Sequence, residues 1–163
     1  MTGQGLMPFV LFFPEQALKE TRVISTSRYP GLPDDDYGFQ DSYCDNPTCH
    51  CRPVMLNAVN RSRGDTLASI SFGFDPSDDL AGPFLDPLNP QSEYAEILLA
   101  LARQLLQNPE YVDRLKAHYY QVKGATADPT FRRPPVPATR LTRAPAQQPR
   151  RPGGSARRPK KRR

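Results

Sequence analysis

The chain of 163 residues has no apolar run long enough to cross a bilayer. Its longest such stretch near the start, residues 6–13, is interrupted by Pro8, whereas a spanning helix needs about 20 apolar residues. No Lys or Arg precedes that stretch and no small-residue cleavage site follows it, so neither a signal peptide nor a membrane partner is expected. A phosphate-binding glycine loop is missing. With only two histidines, His50 and His118, a Ser-His-Asp arrangement has little to draw on. Cysteine is scarce and odd in number, and Cys44, Cys49 and Cys51 crowd into one short segment. A secreted domain carries an even, dispersed set, so the cytoplasm is the expected compartment.

One further absence divides the chain. Residues 129–163 contain no Asp or Glu against twelve Lys and Arg, so that segment carries +12. Residues 1–128 hold all seventeen acidic residues and ten basic ones, a net −7, and the two parts make up the overall +5. The sequence pI of about 9.3 therefore describes the tail. Two regions are expected: a single domain over 1–128 and a Pro/Arg-rich basic tail over 129–163. The tail cannot bury enough apolar surface to offset its chain entropy, and it is expected to be disordered.

Within 1–128, residues 9–13 read as a strand, and Pro14 suits the first position of a short helix. Residues 22–25 read as an edge strand and 31–36 as a polar loop. In residues 37–43, Tyr37, Phe39, Asp41 and Tyr43 share one face, which predicts a strand. Further strands are expected over 54–59 and 66–74, joined by a polar loop containing Gly64. Residues 75–91, with Pro76, Pro83, Pro87 and Pro90, predict a long irregular connection of the kind that is often functional.

Two helices should close the domain. Ser92 suits the N-cap of one over 93–107, with an apolar stripe of Ile97, Leu98, Leu101 and Leu105. Asn108 and Pro109 open a second, lined by Tyr111, Val112, Leu115, Tyr119 and Val122, with Gly124 as its stop. The fold class that follows is α+β: an antiparallel meander of three to four strands covered by a C-terminal αα-hairpin.

The cysteines stand in C-x4-C-x-C spacing. Zinc takes four soft or borderline donors in a tetrahedron. A turn through Asn46 and Pro47 folds Cys44 back, and Cys49 and Cys51, two residues apart on extended chain, point to one side. Three thiolates thus converge as metal ligands. The fourth is His118, reaching from the last helix, or else His50; Asp41, Asp45 or a water are further options. Competing readings are inert core thiols, a labile disulfide, or a reactive thiol activated by Arg52 and His50.

The run Tyr37-Gly-Phe-Gln-Asp-Ser-Tyr-Cys44-Asp, the Cys49-His-Cys-Arg52 block, Leu85-Asp-Pro-Leu-Asn-Pro-Gln-Ser92 and Arg114-Leu-Lys-Ala-His-Tyr119 resemble a group of prokaryotic proteins of uncharacterised activity. Some members of that group end in a SEC-C zinc motif. Residues 150–163 contain no cysteine, so that motif is absent here. What the resemblance implies is one intact domain around the three cysteines, without an assigned activity.

In the tail, Arg150, Arg151, Arg157, Arg158, Lys160, Lys161, Arg162 and Arg163 suit phosphates, with salt-sensitive, sequence-blind affinity for RNA or DNA. No aromatic residue lies among them to stack on bases. The Asp clusters at 34–36 and 75–79 and the Arg63-Gly-Asp65 triplet read as loop chemistry. Taken together, the expectation is a zinc-binding, non-enzymatic module that meets a macromolecular partner, with a nucleic-acid-binding tail. The alternatives are an enzyme using an open zinc or a reactive Cys near the 75–91 loop, and an accessory structural domain. No catalytic residue is assigned.

Overall fold

A six-stranded antiparallel sheet carries the fold, and the computed structural model describes it over residues 5–50 and 54–135. The tail residues proposed for phosphate contacts, and Cys51, lie outside the described residues. The elements in chain order are β1 (Leu6–Pro8), α1 (Phe9–Phe12), α2 (Pro14–Glu20), β2 (Arg22–Ser25), β3 (Asp36–Cys44), β4 (Val54–Asn60), β5 (Thr66–Phe72), β6 (Phe84–Leu85), α3 (Ala95–Leu106) and α4 (Pro109–Ala127). This is an α+β fold, with β3, β4 and β5 as the expected meander and α3 and α4 as its C-terminal helix pair.

Register decides what each face does. Asp41 lies opposite Leu56, and Leu56 opposite Ile70. Tyr37, Phe39, Asp41, Tyr43, Leu56, Ala58, Ala68 and Ile70 therefore share one face, and all are buried. Leu98, Leu101 and Ala102 of α3 and Tyr111, Leu115, Tyr119 and Val122 of α4 complete that core. The opposite face carries polar pairs beside buried Met55 and Leu67: Ser69 Oγ donates to Asn57 Oδ1 (2.8 Å) and Ser71 Oγ to Asp86 Oδ2 (3.0 Å).

Both edges of the meander are covered. β1 and β2 share the outer edge of β3, with Met7 opposite Tyr43 and Val23 opposite Gly38. On the far edge, Asp86 N donates to Ser69 O (2.8 Å) and Ser92 N to Leu67 O (3.0 Å). Between them the Gln91 amide accepts from Ser69 N (3.1 Å) and donates to Ser69 O (2.9 Å), standing in for a strand. An unpaired edge would otherwise offer a row of open N–H and C=O groups.

Several expectations shift. Residues 9–13 form a helical turn, Phe9–Phe12, closed by Phe13 N donating to Phe9 O (3.0 Å), and the strand lies one step earlier at Leu6–Pro8. A short apolar run does not by itself choose between the two periods. The 75–91 connection holds the two-residue β6. The first long helix starts at Ala95, Ser92 Oγ accepting from Tyr94 N (3.1 Å) one step before it. α4 passes through Gly124 and ends at Ala127, because a single glycine costs only about 1 kcal/mol in a helix interior and Thr126 beyond it is buried.

Candidate functional site

Where β3 ends, the cysteine segment begins. Asn46 Oδ1 accepts from Thr48 N (3.0 Å) and Thr48 Oγ1 (2.9 Å), and Cys49 N donates to Asn46 O (3.2 Å). Asn is a natural nucleus for such a turn because its side chain can bond the backbone two residues on. The turn lies between Cys44 and Cys49, and both cysteines are half-buried. From α4, Lys123 Nζ donates to Cys44 O (3.1 Å) and Asn46 O (2.7 Å), fastening the turn to the helix. Arg133 adds an ion pair with Asp45 at 3.0 Å. His50 is exposed beside Cys49. Among the described residues no three His, Cys, Asp or Glu side chains are grouped to hold a metal, and the third thiol, Cys51, falls outside that set.

His118, expected to reach from the last helix towards the cysteines, is on that helix but faces Asp41 and Glu20. It is buried on α4, with its ring stacked on Phe9 at a centroid distance of 3.7 Å and an interplanar angle of 6°. Nδ1 lies 2.6 Å from Asp41 Oδ2 and Nε2 lies 2.6 Å from Glu20 Oε2. With a carboxylate on each ring nitrogen, His118 has no free lone pair to give a thiolate-bound metal. Two acceptors call for two N–H donors, and only the imidazolium supplies both. Burial pulls the His118 pKa down, but hydrogen bonds and charge from Asp41 and Glu20 outweigh it, and the net shift is upward. Glu20 moves the other way, its carboxyl held below the usual range chiefly by the bond to His118.

The same cluster reaches further. Tyr43 Oη donates to Asp41 Oδ2 (2.7 Å) and lies 3.0 Å from Leu115 O; burial, with the nearby Asp41 charge, raises the Tyr43 phenol far above its ordinary value. Arg114 donates to Glu20 O (3.2 Å). Tyr111 Oη and Arg22 Nε lie buried close by without a protein hydrogen-bond partner. Chemically, this constellation ties α2, β3 and α4 together and offers no open base.

Sequence reasoning named Asp41 and His118 only as options for a fourth metal ligand, and missed their pairing with each other and with Glu20, Phe9 and Tyr43. One signal was present. Asp41 shares a strand face with Tyr37, Phe39 and Tyr43, and a carboxylate buried among aromatics requires a cation or donors. The other acidic groups act as loop fasteners: Asp36 pairs with Arg61 (3.0 Å), Asp65 with Arg63 (3.6 Å), and Asp75 Oδ1 accepts from Ser77 N (2.9 Å). Comparison with protein-family models, curated proteins and solved structures finds no match to this chain.

Proposed function

We propose that this chain is a non-enzymatic interaction module in which segment 44–51 holds a zinc ion and the basic tail binds RNA or DNA nonspecifically. The observation that supports the metal is the Asn46 turn. It turns the chain between Cys44 and Cys49, and Lys123 fixes that loop to α4. Cys51 follows two residues later. A four-coordinate ion then needs one more donor, and exposed His50, adjacent to Cys49, is the candidate, since His118 is committed to Asp41 and Glu20. Bound there, zinc would close the loop between β3 and β4 and add its binding free energy to folding.

The test is metal analysis of the purified full chain. One zinc per chain is expected, lost in Cys44→Ala, Cys49→Ala and Cys51→Ala, weakened in His50→Ala, and kept in His118→Gln. A protein purified without chelator that contains no zinc overturns the metal reading. Retention in His50→Ala with loss in His118→Gln overturns the choice of the fourth ligand. For the tail, truncation after residue 135 should abolish RNA binding at low salt, and an unchanged affinity dismisses that part.

A further inference from the structure

We propose that residues 137–145 of this chain fold back into an aromatic groove at the end of β5, with Leu141 as the anchor. The groove has a volume of about 710 Å³, and its lining includes Phe72, Phe74, Phe84, Pro83, Asp78 and Asp79. The rings of Phe72 and Phe74 stand at 89° with centroids 6.0 Å apart. Apolar surface is left open here: Phe84 is 36% and neighbouring Leu80 75% exposed.

The wall of the groove is built in advance. Asp78 N donates to Asp75 O (3.1 Å), Ala81 N to Asp78 O (2.9 Å) and Gly73 N to Ala81 O (2.7 Å). A Cβ on Gly73 would meet Ala81 Cα at 3.2 Å, so the loop lies directly on the end of the strand. Rings and prolines beside carboxylates suit a proline-containing basic segment. Prolines pack on aromatic surfaces at low entropy cost, and guanidinium groups pair with carboxylates. Arg103 also lines the groove, leaving the lining at a net charge of −1 with Asp78 and Asp79.

Of the tail's proline-containing basic segments, one carries a leucine, Pro137-Ala-Thr-Arg140-Leu141-Thr-Arg143-Ala-Pro145. Leu141 is its one large apolar residue, with an Arg on either side. Reach selects this segment. Arg133 is held at the β1 edge by Asp45 (3.0 Å) and Met7 Sδ (3.2 Å). Leu6 pairs with Cys44, and Val54 with Phe72, so β1 and the end of β5 lie at the same end of the sheet. The strand order β1-β3-β4-β5 puts three spacings, about 14 Å, between them. The six residues from Pro135 to Leu141 span up to about 20 Å when extended. The folding domain is acidic and the tail basic, so the charges favour the same contact. A docked segment withholds Arg140 and Arg143 from nucleic acid, which makes the two uses of the tail compete. None of this depends on the zinc reading.

Hydrogen exchange of the full chain, read by mass spectrometry at low salt, tests the proposal. Amides of residues 73–82 are expected to exchange about threefold more slowly than in the variant Arg140→Gln/Leu141→Ser/Arg143→Gln, as for a docked state about two-thirds populated. Equal rates overturn it. A second variant, Arg150→Gln/Arg151→Gln/Arg157→Gln, removes more charge elsewhere and should leave the protection in place; loss there means diffuse charge attraction and also overturns it. Protection that survives dilution supports docking of the chain's own tail. Protection that disappears on dilution assigns the groove to a second copy and overturns the own-chain occupant.

Discussion

His118 is the residue on which three elements meet, and its protonation sets how well they hold. Its ring is sandwiched between α2 and β3 with a carboxylate at each nitrogen and Phe9 stacked on its face. Because the folded state raises its pKa above the ordinary 6.5, the stabilisation is fully present below 6.5. It is lost as pH rises through the raised value. Glu20 contributes with the opposite sign: its pKa is depressed from 4.5, so its share is present above 4.5 and disappears as pH falls through the lowered value. The network therefore contributes most between 4.5 and 6.5. His118→Gln leaves Asp41 buried without its cation and should cost about 3 kcal/mol, as in other broken buried pairs. Thermal melts across pH check the charge itself: the parent chain's midpoint should fall from about pH 6 to 9, and that fall should flatten in the variant. A variant with the parent's slope would remove the imidazolium from the account.

At the scale of elements, α4 is the beam to which the site is attached. It carries His118 and Lys123, one to the sheet and one to the cysteine turn. Its start follows from the sequence: Asn108 Oδ1 accepts from Glu110 N at 2.9 Å, with Pro109 in the first turn. Asn108→Ala should lower stability by about 1 kcal/mol in urea unfolding. Its end was misplaced, because glycine is a stop only where the chain must turn, and here Thr126 beyond it is still buried. Gly124 is exposed, and a Cβ there meets nothing within 4 Å. Gly124→Ala should therefore raise stability by roughly 0.5–1 kcal/mol, through lower chain entropy in the unfolded state. A loss instead would mean that the glycine serves a contact beyond the helix. The misplaced first strand has a different cause. Residues 6–13 are apolar throughout, so alternation could not separate the strand from the turn, and only burial of Phe9 against His118 decides it.

Across the whole molecule, legibility followed local pattern. Alternating aromatics in β3, Val and Leu in β4 and the capped helix pair wrote the α+β frame into the sequence. The His118 cluster was half legible, since Asp41 on an aromatic face asks for a partner, but Glu20 joins from 98 residues away, a separation that no spacing rule encodes. The β1 and β6 edges were hidden for the same reason, being short and defined by what they pair with. Charge was the clearest large-scale signal, and it leads to a quantitative expectation for the tail. Residues 136–163 hold ten Lys and Arg, and each phosphate they neutralise on a single strand contributes about −0.7 to the slope of log K against log salt. The full chain should therefore bind single-stranded RNA with a slope no steeper than about −7. Arg150→Gln/Arg151→Gln should reduce its magnitude by about 1.4 at every RNA sequence tried. Filter binding across a salt series measures both. A slope unchanged by the pair, or affinity that depends on base sequence, would show that the recognition lies in the folded domain instead of the tail.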